Sequence, residues 1–209
     1  MPEILLATNN PGKVREIREI TAGWPLVWRS LAEFPGLPEA DEHGATFAEN
    51  ARLKALHYAG LTGLSTLADD SGLEVDALGG APGVHSARYA GTPRDDLANN
   101  RKLVANLAGV PLARRTARFR CAMAFVRDGQ VALETTGAFD GLIIDDPRGT
   151  NGFGYDPHFL VFDLGLTVAE LPSEQKHARS HRGQALRTML KQLEILYRSR
   201  GEWDACARG

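Results

Sequence analysis

The sequence is poor in the features that mark several large classes of protein. It has two cysteines among 209 residues, Cys121 and Cys206, and they lack the CxxC spacing of a thiolate zinc site. We therefore predict neither a disulfide framework nor such a zinc site. No uncharged apolar run approaches the roughly 18 residues of a spanning helix, and the first residues lack the basic leader of a signal peptide. The expected location is cytoplasmic, without a membrane partner.

The charge balance and several missing motifs exclude further functions. Lysine and arginine total 24 against 26 acidic residues, so the net charge of −2 gives no overall attraction for nucleic acid or anionic membrane. We expect no nucleic-acid partner, and any anion site must be local. The GxSxG elbow, a GxGxxG after a strand and a phosphatase DxDx[TV] opening are absent, which argues against acyl transfer and hydride transfer.

The order of elements predicts an α/β fold in a single domain over residues 1–209. An apolar run over Glu3–Ala7 followed by Val14, Ile17 and Ile20 at helical spacing indicates a strand and then a helix. Asp128-Gly129 indicates a hairpin turn between two strands in the middle of the chain. Because both patterns occur, we predict a mixed central sheet flanked by helices.

Three further segments have clear helix signals. Thr46 and Glu49 have the spacing of a capping box, which predicts a helix running to about Tyr58. A second helix is expected over Asp95–Leu107, with Leu97, Val104 and Leu107 facing inward. The last helix has Ser180 as its expected N-cap and an apolar face formed by Leu186, Met189, Leu190, Leu193 and Leu196.

The first of four polar loops follows the first predicted strand and consists of Thr8, Asn9, Asn10, Pro11, Gly12 and Lys13. Loop amides at the start of a helix, with a lysine beside them, can hold an anion. The GxxxxGK[ST] spacing of a P-loop is absent. An ordinary turn from strand to helix is the alternative interpretation.

The second loop contains Asp69 and Asp70, which follow the apolar run Leu64–Ala68 and are predicted to end that strand. Carboxylates at the carboxyl end of a buried strand are often Mg²⁺ ligands or a general base, and Glu42 of an acidic loop could add another oxygen. The alternative is a pair of solvated acids in a turn.

The third loop contains an aromatic residue between two glycines, and the fourth loop contains several cations. Phe153 lies between Gly152 and Gly154, so its ring could stack on a planar ligand or fold into the core, and Asp156 could accept from a base N–H. Residues 176–182 place three cations and two histidines before the last helix, where an anion would offset their conflict with the helix dipole. No third ligand accompanies His177 and His181, so zinc is not predicted.

These loops, in this order, resemble the inosine triphosphate pyrophosphatase family, whose members hydrolyse non-standard purine nucleoside triphosphates. The likeness spans nearly the whole chain. It covers residues 8–13, the acidic loop and helix over 42–51, Ala68-Asp69-Asp70-Ser71-Gly72-Leu73, residues 78–83 and 86–89, Gly152–Pro157 and Ser180-His181-Arg182.

The resemblance implies a role for each matching residue. Asp70 would be the general base and a Mg²⁺ ligand, with Glu42 as a second metal contact; Glu39 or Asp41 could replace Glu42 because the match there is short. The implied substrate-binding residues are Thr8, Asn9, Asn10, Pro11, Gly12, Lys13, Ser71, Phe153, Gly154, Tyr155, Asp156, Lys176, His181 and Arg182.

The resemblance also implies a fold, a reaction and an assembly. The family fold is two-lobed with the active site in the cleft, and the expected protein is a homodimer. The expected reaction is Mg²⁺-assisted attack of water on the α-phosphorus of ITP, dITP or XTP, releasing a nucleoside monophosphate and pyrophosphate. Two rival functions remain open at this point: a nucleotide sensor without turnover, and a pyrophosphatase for modified pyrimidine nucleotides.

Overall fold

The computed structural model describes residues 1–203 and is built from strands and helices that alternate along the first half of the chain. The strands are β1 (Glu3–Leu6), β2 (Val27–Ser30), β3 (Thr66–Val75), β4 (Thr116–Arg127), β5 (Gln130–Ile143), β6 (Phe159–Val161) and β7 (Leu166–Thr167). The α-helices are α1 (Pro11–Ile20), α2 (Phe47–Thr62), α3 (Asp96–Asn106), α4 (Ser173–Arg179) and α5 (His181–Arg198).

The strands form one mixed sheet in the order β2-β1-β3-β4-β5-β6-β7. Strand β1 pairs in parallel with both β2 and β3, whereas β6 pairs antiparallel with β5 and with β7. Asp128 and Gly129 connect β4 to β5 with φ angles of 53° and 74°, the left-handed values of a type I′ hairpin turn. The predicted mixed α/β fold and its hairpin are therefore confirmed.

The chain divides into two compact units, each with its own core. Among the described residues, unit 1 comprises residues 1–70, 122–136 and 183–203, and unit 2 comprises residues 71–121 and 137–182. In unit 1, small residues of α2 pack against apolar residues of the sheet strands, and the core consists of Leu5, Ala7, Leu31, Ala51, Ala55, Tyr58, Ala59, Ala68, Ala122, Ala124 and Val126. Small side chains let a helix approach a sheet closely, so α2 and β3 can bring their polar side chains within contact distance.

Unit 2 has a core with a cluster of aromatic rings. The rings of Phe119 and Phe159 stack with centroids 4.4 Å apart, and the Phe139 ring lies 5.7 Å from that of Phe159. A Cβ atom at Gly141 would collide with the Phe159 ring, so the close approach of β5 to that ring requires glycine.

Three sequence predictions about local structure were wrong. Strand β3 does not end at Asp69 but continues through Gly72 to Val75, because both carboxylates find partners inside the protein. Leu97 is 70% exposed, and Leu103 instead faces the core from α3. Helix α1 begins at Pro11, two residues before Lys13, from which the sequence pattern predicts the helix, since proline is well suited to the first helical position.

Two further sequence features concern the membrane and the cysteines. Within residues 1–203, each helix is too short or too polar to cross a lipid bilayer. Cys121 is buried and forms no disulfide within the described residues. Cys206 lies outside the described residues.

Candidate active site

The first polar loop is stabilised by its own side chains. The Asn10 side chain caps α1 by accepting from the backbone N–H of Gly12 at 2.9 Å and of Lys13 at 3.3 Å. The hydroxyl of Thr8 accepts from the N–H of Asn10 at 3.2 Å. These three amides therefore bond within the loop. The predicted binding of an anion by this loop stays a prediction.

Lys13 forms a buried ion pair with the first carboxylate of β3. Its Nζ lies 3.0 Å from Oδ2 of Asp69, and the two side chains are 12% and 1% exposed. A buried carboxylate is tolerated only when a charge and hydrogen bonds compensate its lost hydration. The ion pair between Asp69 and Lys13 therefore fixes the N-terminal end of α1 against β3.

Lys54 is a second buried cation of unit 1, and the sequence analysis did not single it out. Its Nζ lies 2.8 Å from Oε2 of Glu42 and donates to the backbone carbonyl of Asp69 at 3.2 Å. Burial acts to lower the pKa of the Lys54 ammonium, but the charges of Glu42, Asp69 and Asp70 together raise it above its ordinary value. Lys54 is therefore a permanent positive charge beside the carboxylates.

Asp70 is a buried carboxylate with a shifted pKa. Burial raises the pKa of Asp70, the charges of Lys13 and Lys54 and a hydrogen bond from Asn50 oppose the rise, and Glu42 adds to it. The net pKa lies above its ordinary value. A carboxylate that binds protons more readily than usual, beside two cations, is suited to act as a general base.

The acidic loop presents one of its three candidate acids to this group of charges. Glu42 pairs with Lys54, whereas Glu39 and Asp41 are exposed, and Asp41 contacts the exposed His43 at 3.4 Å. Because the charge of Glu42 also acts on Asp70, the geometry favours Glu42 over the other two acids as the partner of Asp70.

Glu42 and Asp70 are the groups of unit 1 that fit a magnesium ion. Among residues 1–203, no three histidine, cysteine or acidic side chains gather into a complete metal site. Mg²⁺ does not need one, because it commonly binds through one or two carboxylates and fills its remaining positions with water and substrate phosphate. The hard oxygen donors of Glu42 and Asp70 match that preference.

In unit 2, Phe153 is not part of the core. Its side chain is half-buried, and the Lys176 ammonium lies 4.9 Å and the Arg182 guanidinium 5.6 Å from its ring centroid. Cations near an aromatic ring are attracted by its π electrons and restrict its orientation. Of the two interpretations of Phe153, this geometry supports a ring that can stack on a ligand.

Asp156 holds the loop that carries Phe153. Its Oδ2 accepts from the Phe153 N–H at 2.9 Å and from Nζ of Lys176 at 2.6 Å, and its side chain is 5% exposed. A Cβ atom at Gly152 would overlap that same carboxylate oxygen, so glycine is required there. The structure gives Asp156 a role as the anchor of this loop. Its contact with a base N–H stays a prediction.

The cationic segment 176–182 is divided between two helices rather than preceding one. Lys176, His177 and Arg179 lie in the last turn of α4, where positive charge suits the helix dipole, so the predicted dipole conflict does not apply to them. His181 and Arg182 begin α5. The His181 ring stacks on Phe119 at 4.9 Å, and Arg182 donates to the Ser71 hydroxyl at 2.8 Å.

The structure adds functional candidates that sequence reasoning missed. Asn50 and Lys54 are four residues apart on α2 and therefore share one face, and both are buried in an alanine-rich helix. Polar residues at buried helical positions were the available signal.

Tyr155 is placed by a buried hydrogen bond from its hydroxyl to the Ser86 carbonyl at 2.7 Å, and burial raises the pKa of that hydroxyl far above its ordinary range.

Comparisons with known proteins agree with this arrangement. The Ham1 family model matches residues 4–192. The dITP/XTP pyrophosphatase of Geobacter sulfurreducens is 53% identical over 186 residues, covering 89% of this chain and 94% of that relative. The dITP/XTP pyrophosphatase of Desulforamulus reducens is 51% identical over 197 residues, covering 93% of this chain and 97% of that relative.

A solved structure is similar over the same length. The HAM1 protein from Coxiella burnetii superimposes with a TM-score of 0.84 at 42% sequence identity, covering 92% of this chain and 98% of that chain. The chain belongs to the Ham1 family, the inosine triphosphate pyrophosphatase family that its loops resemble.

Proposed function

We propose that this protein hydrolyses dITP, ITP and XTP to the nucleoside monophosphate and pyrophosphate, and so removes them from the nucleotide pool. The observation that carries the proposal is Asp70, a buried carboxylate of raised pKa beside the cations Lys13 and Lys54. The names of the relatives from Geobacter sulfurreducens and Desulforamulus reducens support the substrate class.

The triphosphate is assigned to unit 1. Lys13 and Lys54 supply fixed positive charge, and the side chains of the first loop supply neutral hydrogen-bonding groups. Thr8, Asn9, Asn10, Pro11 and Gly12 form that loop. Charges that are already in place need no reorganisation when negative charge develops on the leaving oxygens, which is the main source of catalysis in phosphoryl-type transfer.

Glu42 and Asp70 are proposed to hold Mg²⁺. When bound, the ion would neutralise charge on the triphosphate oxygens. Lys54 pairs with Glu42, and Asn50 bonds to Asp70, so both carboxylates are oriented by other side chains. Such support is typical of metal-binding carboxylates.

The chemical step is assigned to the Asp70 carboxylate. A water molecule attacks the α-phosphorus as Asp70 accepts one of its protons, and the bond from the α-phosphorus to the bridging oxygen breaks. The electron pair of that bond leaves with pyrophosphate, and the proton on Asp70 is then released to solvent. The raised pKa of Asp70 makes this carboxylate a better proton acceptor than an exposed aspartate.

The base is assigned to unit 2. Phe153 stacks on the purine, with Gly154, Tyr155 and Asp156 shaping the loop, and Ser71, Lys176, His181 and Arg182 complete the substrate-binding set. Donors from His181 or Arg182 suit the 6-oxo group of hypoxanthine and xanthine. Against the 6-amino group of adenine those donors would be left unpaired, and such mismatches discriminate strongly.

The expected homodimer and cytoplasmic location belong to the same proposal. The substrates are members of the cytoplasmic nucleotide pool, which motivates the location. Light scattering over a range of protein concentrations tests the dimer. A mass of one chain at every concentration would contradict it.

Product identity tests the proposed reaction. The protein is incubated with MgCl₂ and, separately, with ITP, dITP, XTP, ATP and GTP, and the products are resolved by anion exchange. We expect monophosphate and pyrophosphate from the first three and little turnover of ATP and GTP. Diphosphate with phosphate would refute attack at the α-phosphorus, and binding without turnover would indicate a nucleotide sensor.

A further inference from the structure

Helix α3 holds both backbone polar groups of one residue, Gly154, in the loop that carries Phe153. Oδ2 of Asp96 accepts from the Gly154 N–H at 3.0 Å, and Nδ2 of Asn100 donates to the Gly154 carbonyl at 2.9 Å. Asp96 and Asn100 are four residues apart, so they lie on the same face of α3. One helix face therefore fixes the position and the direction of this residue.

The residue that is held has an unusual backbone conformation. Gly154 has a φ of +65°, and a Cβ atom there would meet no neighbour within 4 Å, so the backbone angle rather than the available space requires glycine. Glycine is also the most flexible residue, and external hydrogen bonds are needed to keep it in one conformation. Asp96 and Asn100 provide them.

Phe153 immediately precedes Gly154, and the loop is anchored on both sides of the ring. Asp156 accepts from the Phe153 N–H at 2.9 Å, and Tyr155 bonds to Ser86 through its hydroxyl at 2.7 Å. Because the N–H and the carbonyl of Gly154 are held as well, the backbone on each side of Phe153 has a fixed direction. A ring set in advance by its backbone does not have to be ordered when a ligand arrives.

Asn100 is held in a way that stability alone does not explain. Its side chain is 7% exposed, and within residues 1–203 its Oδ1 is buried without a hydrogen-bond partner. A buried acceptor without a partner is unfavourable for folding. Asparagine at this position therefore has a use that offsets that cost, and the contact with Gly154 supplies one.

We propose that Asp96 and Asn100 are positioning residues that set the Phe153 ring for base binding by holding the backbone N–H and carbonyl of Gly154. The proposal rests on the proposed role of Phe153 in stacking on the purine. Asp96 and Asn100 are assigned no contact with substrate. Their effect is on KM rather than kcat, since the proposed chemistry is assigned to Asp70, Lys13 and Lys54.

The first test compares two asparagines of the same helix. Asn100→Ala removes both the donor to the Gly154 carbonyl and the buried acceptor Oδ1. We expect an about 5- to 20-fold rise in KM for dITP, the loss expected from one hydrogen bond that orders a binding loop, with a smaller change in kcat. Asn106→Ala, at an exposed position of α3 that bonds to the Tyr89 hydroxyl, is the matched control and should leave KM unchanged.

A second pair of variants tests the hydrogen bond from the Gly154 N–H to Asp96, and it can be measured whether or not Asn100→Ala folds. Asp96→Ala removes the acceptor of the Gly154 N–H, whereas Asp96→Asn keeps an acceptor oxygen and loses the charge. We expect Asp96→Ala to raise KM and Asp96→Asn to have a KM close to that of the native protein. Because Asp96 also pairs with Arg94 at 2.9 Å, Arg94→Ala is the control for the loss of that ion pair. Equal KM values for the two Asp96 variants would contradict the proposal.

A double-mutant cycle separates positioning of the ring from general stability. If Asn100 acts through Phe153, Asn100→Ala raises KM in the native background but has little further effect in a Phe153→Ala background. Full additivity of the two changes, or an equal loss of kcat, would overturn the positioning role while leaving the stacking role intact. An unchanged KM in Phe153→Ala alone would refute the stacking role, and the positioning role with it.

Discussion

The side-chain amide of Asn50 connects Asp70 to the acidic loop that carries Glu42. Its Nδ2 donates to Oδ2 of Asp70 at 3.1 Å, and its Oδ1 accepts from the backbone N–H of Gly44 at 2.8 Å. Asn50 is 3% exposed, and its bond to Asp70 is buried and therefore protected from competing water. One buried side chain therefore orients the proposed general base and the loop that holds the second proposed metal ligand.

This connection predicts the effect of adding one methyl group at Gly44. A Cβ atom there would lie 2.7 Å from Cβ of Glu49 and 2.8 Å from Oδ1 of Asn50, so the acidic loop must shift in Gly44→Ala. We expect kcat for dITP to fall by about 10- to 100-fold, because small displacements of groups that act on the reacting atoms cause losses of this size.

Gly60 offers a matched control for that substitution. It lies within α2, is exposed, and a Cβ atom there would meet nothing within 4 Å. Gly60→Ala should leave kcat unchanged and stabilise the helix by roughly 0.5–1 kcal/mol. Steady-state kinetics and thermal unfolding of both variants check the pair. Equal kcat values in the two would show that the acidic loop tolerates displacement.

Asp70→Asn is expected to stabilise the metal-free protein while abolishing turnover. The ordinary pKa of an aspartate is 3.8, and the pKa of Asp70 in the folded state lies above it. The ionised form of Asp70 is therefore less favourable in the folded protein than in the unfolded chain. The stability associated with a group of raised pKa is present at low pH and is lost as pH rises through the folded value. At neutral pH, removing the charge should therefore increase the free energy of unfolding.

Unfolding experiments in EDTA measure this effect without bound metal. We expect the Tm of Asp70→Asn to exceed that of the native protein at pH 7.5, because the folded native protein then carries the unfavourable buried charge. The difference should shrink as pH is lowered toward 4. A variant less stable than the native protein at neutral pH would show that the pairing of Asp70 outweighs its burial.

Lys54→Met tests the buried cation that lies beside Glu42. Methionine keeps an unbranched side chain of similar length but removes the charge 2.8 Å from Oε2 of Glu42. We expect kcat for dITP to fall by about 100-fold or more, the loss seen when one preorganised electrostatic group is removed. Lys191→Met, at an exposed position of α5, makes the same chemical change away from the carboxylates and should have native kinetics. Near-native kcat in a folded Lys54→Met protein would leave Lys54 with a structural role alone.

Phe153→Ala tests the stacking ring. A base stacked on an aromatic side chain gains about 1–3 kcal/mol, so KM for dITP should rise at least about 5-fold. The change in thermal stability should be small, because the ring is half-buried and does not belong to the core. Phe162→Ala removes another phenylalanine of unit 2 whose side chain is 55% exposed, and it should leave KM unchanged. Loss of stability with an unchanged KM would make the Phe153 ring a structural residue.

The sequence was most informative where the physical cause is local. The Thr46 and Glu49 capping box starts α2 as predicted, and Asp128-Gly129 turns β4 into β5 because these residues tolerate positive φ. The family was also evident from its loops, because polar motifs and their order along the chain can be identified from the sequence without knowing how the chain packs. The matches to residues 4–192 and to relatives above 50% identity confirm it.

The sequence was least informative where a distant segment supplies the partner. A pair of aspartates normally ends an apolar strand, yet β3 continues through Asp69 and Asp70 because α1 brings Lys13 and α2 brings Asn50 to them. The cationic segment depends on tertiary structure in the same way: Lys176 pairs with Asp156, which is 20 residues earlier, and the segment ends α4 before its last two residues begin α5.

The sequence by itself determined the family, the mixed α/β fold and the four loops that carry the polar residues, because periodicity, capping and turn chemistry act between near neighbours. Only the tertiary structure decided that Glu42 rather than Glu39 or Asp41 faces Asp70, and that Asn50 and Lys54 support these acids. It also decided that Phe153 stands outside the core. The strength of a buried charge or hydrogen bond depends on distances and dehydration that exist only after the chain has folded.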